Sequence, residues 1–232
     1  MKRFYENVAV VPVADGLTIE LDGRTVRTPR KTAFAVAAAA LAEAIAAEWR
    51  CQGEEIDPES MPLLRLANTA LDLVASQRGA VVDNLASYGG TDLLCYRAEE
   101  PADLVQRQER LWSPWLAWAK AEYGAHLVAT DGIGHIAQDQ AALAALHRAV
   151  DEHDVMELAA MNDLVTIAGS LVLALAVSAD ALDVTAAWAA VRLDNDYQAE
   201  RWGQDDEAEA HAARLRGEFE NAARFLDLHR AG

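Results

Sequence analysis

The spacing of apolar and polar positions changes character along the 232-residue chain. Near the start it is that of strands. Val8-Ala9-Val10-Val11 is a short β-branched run, and in Leu17-Thr18-Ile19-Glu20-Leu21 the apolar residues share one face. Asp22-Gly23 follows, and Arg24 to Thr28 resumes the extended pattern until Pro29 closes it. Asp-Gly between two such runs predicts a hairpin with a type I′ turn, which needs positive φ at both central residues. Phe34 to Val36 offers a further strand, so the N-terminal quarter reads as a small antiparallel sheet.

From Ala37 the period becomes helical. Leu41, Ile45 and Trp49 recur at i, i+4 and i+8, predicting an amphipathic helix that ends near Gln52-Gly53. Pro62 suits a helix start, with Leu63, Ala67, Ala70, Leu71 and Val74 as its apolar stripe, and a third helix runs from Arg78 to Tyr88. Thr91 to Arg97 neither alternates nor is long enough for a helix. Asp103 opens a helix through Leu104, Leu111, Trp115 and Trp118, widened by Trp112 and Leu116, which Pro114 should kink or divide. Ala125 to Ile136 reads as a loop with a short strand, and Gln138 to His153 as a helix. Another helix runs from about Val184 to Trp202, where Gly203 stops it. The last helix buries Ala208, Ala212, Leu215, Phe219, Ala222 and Leu226.

Leu158 to Val177 is apolar on all sides, the pattern of a fully buried helix. A membrane span needs about 20 apolar residues. Asn162 and Asp163 interrupt this run, and no Lys or Arg flanks it closely. It is expected to be the central helix of a soluble domain, with Gly169-Ser170 allowing another backbone to come close. The predicted fold class is α+β and mostly α-helical. A small N-terminal antiparallel β-rich domain (1–53) precedes a larger helical domain (54–232) built around the buried central helix.

The net charge of −17, from 37 acidic against 20 basic residues, argues against nucleic-acid binding, which draws its affinity from Lys and Arg. Cys51 and Cys95 lie far apart with no CxxC, so neither a zinc site nor a disulfide framework is expected. Met1 to Glu6 leads into polar sequence with no apolar signal core and no transit-peptide composition, the start expected of a mature or cytoplasmic protein.

Candidate chemistry is sparse. None of the six histidines sits in a ligand spacing such as HExxH, and Asp151-Glu152-His153-Asp154 falls at a helix junction where polar residues are expected anyway. Gly132-Ile133-Gly134 lacks the third glycine of a dinucleotide fingerprint, and there is no phosphate loop and no GxSxG. A binding protein without metal or cofactor is favoured over an enzyme. The one unusual stretch is Asp194 to Glu207, which gathers carboxylates around Tyr197 and Trp202. Asp206 with Glu209 could form a capping box at a helix start, where acids are favoured. That leaves Trp202 and Glu207 as a candidate protein-binding anchor.

Several short motifs, in order, resemble one family. They are Leu21-Asp22-Gly23-Arg24 with Thr28-Pro29, Glu48-Trp49 with Gln52, Met61-Pro62-Leu63, and Thr91-Asp92-Leu93-Leu94-Cys95-Tyr96-Arg97. Gln108 with Trp112 and Pro114, Gly169-Ser170-Leu171, and Tyr197-Gln198 with Trp202-Gly203 complete the set, which spans about nine tenths of the chain. Together they resemble the assembly chaperone of the F-type ATP synthase catalytic sector that handles the α subunit, in its bacterial form. The resemblance implies binding the free α subunit and masking its subunit interface until a β subunit replaces the chaperone. It implies no membrane insertion, a cytoplasmic location, and a monomer when free. It also implies an important acidic residue just after the Trp-Gly pair. Glu207 is taken as that contact and Asp206 as the cap, within a partner-binding set of Tyr197, Gln198, Trp202, Gly203, Asp206 and Glu207. Trp49 is expected to be structural, as are Asp92 and Arg97, read as an internal ion pair. The rivals are a metal-assisted hydrolase using Asp151–His153 or the Asp205–His211 cluster, and a holdase without a preferred client.

Overall fold

The computed structural model describes residues 1–132 and 134–231. Ile133, in the middle of the Gly132-Ile133-Gly134 motif, lies outside them. The architecture is α+β and mainly helical, with a small antiparallel sheet at the N-terminus followed by helices. By contact the chain forms two compact units. One holds Met1–Arg78, Asp154–Ala160 and Asn221–Gly232; the other holds Gly79–His153 and Met161–Glu220. Glu54 to Arg78, assigned from sequence to the helical part, thus groups with the sheet.

In the first unit β1 (Val8–Val13), β2 (Gly16–Leu21) and β3 (Arg24–Thr25) form the sheet in that order, all antiparallel. Leu21 pairs with Arg24 across Asp22-Gly23, both at positive φ as a type I′ turn requires. The third strand is shorter than its pattern suggested, and Phe34 to Val36 contributes only an isolated bridge from Val36 to Leu17. Helix α1 (Ala39–Arg50) packs on β1 and β2 through Leu41, Ala42, Ile45, Ala46 and Trp49, the predicted stripe filled in by alanines. Tyr5 donates its hydroxyl to the Trp49 carbonyl at 2.7 Å, and Trp49 is buried as expected. The half-buried carboxylate of Glu48 accepts the amides of Leu63 and Leu64, at 2.8 and 2.9 Å, and so caps α2 (Pro62–Thr69). Burial nonetheless holds its pKa above the usual carboxylate value. Ala70–Val74 continues α2 as a π turn. It directs the Asp72 carboxylate onto the Thr28 hydroxyl at 2.6 Å and the Arg30 amide at 2.9 Å.

The predicted central helix is two helices, α6 (Val155–Ala168), of which Val155–Ala160 groups with the first unit, and α7 (Leu171–Ser178) in the second. Gly169 has φ +62, and Ser170 turns its hydroxyl back to accept the Leu173 amide at 3.1 Å, so the helix ends and restarts. The all-round apolar pattern holds for α7, every residue of which is buried, whereas in α6 Thr166 is exposed and Asn162, Asp163 and Ile167 are half-buried. What it missed was a glycine and a capping serine side by side. The expected close approach of another backbone does occur there, with the Leu93 amide donating to the Gly169 carbonyl at 2.9 Å.

Asp92 explains the opaque Thr91–Arg97 segment. Fully buried, its carboxyl accepts the Leu94 amide at 3.0 Å, the Ser170 hydroxyl at 2.7 Å and the Val172 amide at 3.0 Å. It caps the turn Leu93–Cys95 and the start of α7 together. The expected Asp92–Arg97 ion pair is not made. Arg97 instead donates to the Leu94 carbonyl at 2.8 Å and lies over the Trp112 ring.

Helix α4 (Ala102–Tyr123), which lies in sequence between α3 (Ala75–Ser87) and α5 (Gln140–Asp151), runs through Pro114 undivided; Pro114 is exposed, where water can reach the carbonyl that loses its amide partner. Its buried residues are Gln108, Trp112 and Ala119, whereas Leu111 is exposed. Polar bonds make this face possible. The Trp112 indole donates to the Ala190 carbonyl at 2.9 Å, and the Gln108 amide bridges the Ala98 amide and Asp194. α4 thereby packs on α7 and on α8 (Val184–Trp202), which is followed by α9 (Asp206–Arg230).

Candidate functional site

The sequence points to the corner between α8 and α9, and the helix faces decide what is displayed there. Ala187, Ala190, Leu193 and Tyr197 form the buried side of α8. Tyr197 belongs to the packing. Its hydroxyl donates to Asp103 at 2.8 Å, and the guanidiniums of Arg107 and Arg201 each lie over its ring, 5.2 and 4.8 Å from the centroid. Arg201 completes the group with a 2.7 Å bond to the other oxygen of Asp103. The Tyr197 hydrogen bond, then Arg201, hold the Asp103 pKa below its ordinary value, while desolvation and then Asp103 raise that of Tyr197.

Most carboxylates of the acidic stretch are already engaged. Asp194 accepts from Gln108, and Glu200 pairs with Arg107 at 2.8 Å. Arg192 reaches both Asp196 and Glu209, at 2.9 and 2.8 Å. The α9 cap is Asp205, not Asp206: its carboxylate accepts the amides of Glu207 and Ala208, at 2.9 and 3.1 Å. The predicted capping box is therefore not formed, and Glu209 serves the ion pair with Arg192.

Asp206 and Glu207 thus sit exposed in the first turn of α9, where the helix dipole favours carboxylates, with neither side chain spent on a hydrogen bond among the described residues. Beside them Trp202 ends α8 with 76% of its surface exposed, the most of any large apolar residue described. Gly203, at φ +95, turns the chain between the indole and the acids, and Gln198 is exposed one turn before Trp202. Of the six residues predicted to bind a partner, five are on this accessible corner and Tyr197 is buried beneath it. Asp103, Arg107 and Arg201, which brace the corner, escaped the sequence reading because Asp103 and Arg107 lie on α4, far away in sequence.

The other candidate clusters do not converge. His153 faces the Ser178 hydroxyl and the Ala149 carbonyl, and His211 contacts Arg214. Among the described residues no three His, Cys, Asp or Glu side chains come together as a metal site would require. Nor is any described helix long and apolar enough to cross a membrane.

An N-terminal three-stranded antiparallel sheet followed by helices is an architecture with solved representatives. The structure of Atp12 from Paracoccus denitrificans is 44% identical with a TM-score of 0.95, covering 99% of this chain and 98% of its own. An aspartate-to-lysine mutant of that protein is 43% identical with the same TM-score of 0.95, over 99% of this chain and 98% of its own. A protein of Agrobacterium tumefaciens is 38% identical with a TM-score of 0.94, over 97% of this chain and 85% of its own. In sequence, the mitochondrial protein atp12 of Schizosaccharomyces pombe is 26% identical over 89% of this chain and 75% of its own length. The family model described as ATP12 chaperone protein matches residues 2–120. The chain belongs to the ATP12 chaperone family.

Proposed function

We propose that this chaperone serves assembly of the F-type ATP synthase catalytic sector by binding the free α subunit at the α8–α9 corner. It shields the subunit interface of α until a β subunit displaces it. The carrying observation is the corner itself, where an exposed Trp202 adjoins the uncommitted carboxylates of Asp206 and Glu207 while the neighbouring acids are internally bonded. An exposed indole beside charge is a common anchor of protein interfaces. A subunit outside its ring presents a large apolar surface liable to aggregate, and a binder that covers it keeps it soluble by mass action, without catalysis, metal or cofactor. On this reading the protein is monomeric when free and works in the cytoplasm.

Mixing the protein with α and with β subunits separately on a sizing column tests the client. A complex with α alone is expected; equal retention of unrelated unfolded proteins would make it a general holdase. Trp202→Ala and Glu207→Lys should each weaken the α complex by at least about tenfold, as loss of an interface anchor does. Both should leave thermal unfolding unchanged. If both variants bind α normally, the corner is not the contact.

A further inference from the structure

The first compact unit carries a groove of about 600 Å³ that the α8–α9 corner does not use. Its volume lies within the roughly 300–1,000 Å³ of ligand sites. Trp49, Ile56, Met61 and Leu64, all nearly inaccessible, supply its apolar lining. Met1 and Leu73, 74% and 41% exposed, extend that apolar surface outward.

The charge around it runs against the rest of the molecule. In a chain of net charge −17, the groove is lined by Arg27, Arg30 and Arg65. Its one acidic residue, Asp72, already accepts from Thr28 and from the Arg30 amide. Among the described residues the Arg27 side chain bonds the neutral Lys31 carbonyl and no carboxylate, and Arg65 is exposed. Apolar surface with cations at its border fits a ligand that joins apolar groups to carboxylates.

Two further atoms narrow the class of ligand. Among the described residues the indole N–H of Trp49 has no acceptor and the Asn68 side-chain oxygen has no donor, though both atoms are buried and both residues line the groove. Buried polar atoms left in this state cost stability unless a ligand or water serves them. A peptide backbone offers one acceptor and one donor per residue, whereas an alkyl chain offers neither.

We propose that this groove is a second docking site, for an extended polypeptide segment carrying apolar side chains alternating with carboxylates. It is independent of the client proposed above and would stand if that client were wrong.

The test uses the full-length protein and three probes: a dye-labelled dodecapeptide of alternating Leu and Asp, its Leu and Lys counterpart, and dodecanoate as a competitor. Fluorescence anisotropy should show saturable binding of the acidic peptide only, and dodecanoate should not displace it. The double charge reversal Arg27→Glu with Arg65→Glu should weaken binding at least tenfold, as should Leu73→Asp, a change at an exposed position. Trp202→Ala should leave it unchanged. Displacement by dodecanoate would make the groove a fatty-carboxylate site. Absence of saturable binding, binding of both peptides alike, or unchanged binding by the folded groove variants would each overturn the proposal.

Discussion

Removing the Asp92 carboxyl should unfasten the middle of the helical unit. In Asp92→Ala three buried donors lose their acceptor: the Ser170 hydroxyl and the amides of Leu94 and Val172. A buried donor left unpaired costs about 1–3 kcal/mol, and some of that sum is returned because a carboxyl no longer has to be desolvated. A net loss of about 3 kcal/mol is expected. Asp92→Asn is the informative companion. Its amide oxygen can still serve Ser170 and Leu94, which share one carboxyl oxygen, but its NH2 meets the Val172 N–H, donor against donor. It should cost about half as much as alanine. Urea unfolding at neutral pH measures both, read from the midpoint shift with the slope unchanged.

The same pair predicts a pH dependence. Burial raises the Asp92 pKa, with the Val172 amide, the Ser170 hydroxyl and other amides opposing it. The native state therefore holds this proton more firmly than the unfolded chain. Stability from this group is full below the ordinary Asp value and declines as pH rises through the raised one. Asparagine does not titrate, so its deficit should shrink as pH climbs through that window. An alanine variant within about 0.5 kcal/mol of the parent would refute the double-capping role.

Two other measurements probe distant parts of the molecule. His229 donates to Asp154 at 2.8 Å; that bond raises the His229 pKa, and although burial pushes the Asp154 pKa up, the bond together with the amides of Glu157 and Met156 brings it below its ordinary value. The histidine contribution is complete below its ordinary pKa and fades as pH passes the raised value; the aspartate contribution is complete above its ordinary pKa and fades as pH drops through the lowered one. His229→Gln should therefore cost most between about pH 4 and 6.5, by about 1 kcal/mol, in thermal melts across pH. For the thiols, Cys51 is exposed whereas burial, then Asp92, pushes Cys95 up to about 12. A thiol reagent at pH 8 should label one cysteine per native chain and two after denaturation.

Sequence periodicity resolved those features that depend on one face of one element. The Asp22-Gly23 hairpin, the α1 stripe and the burial of α7 are all of this kind. It failed where a polar residue finds its partner far along the chain. Trp112 and Gln108 could not be placed inside ahead of Leu111, because their partners Ala190 and Asp194 lie on another helix. Asp92 reads as a partner of nearby Arg97, but apart from the Leu94 amide its partners lie about eighty residues on. At the corner, the sequence singled out Trp202 and Glu207 by composition. The cap moved to Asp205 because α9 begins one residue beyond it, a shift that no residue-type preference among adjacent aspartates could decide. The groove left even less trace, since its walls come from four separated stretches between Met1 and Leu73.

Gly203 separates an exposed indole from two acids whose side chains make no hydrogen bond among the described residues, while Tyr197, Asp103 and Arg201 do the bracing behind them. If the corner is the contact, as proposed, recognition and foldedness fall to different side chains. Such a corner can be rewritten one residue at a time, retuned towards a drifting client or regrafted for a new one, while the scaffold that carries it stays the same.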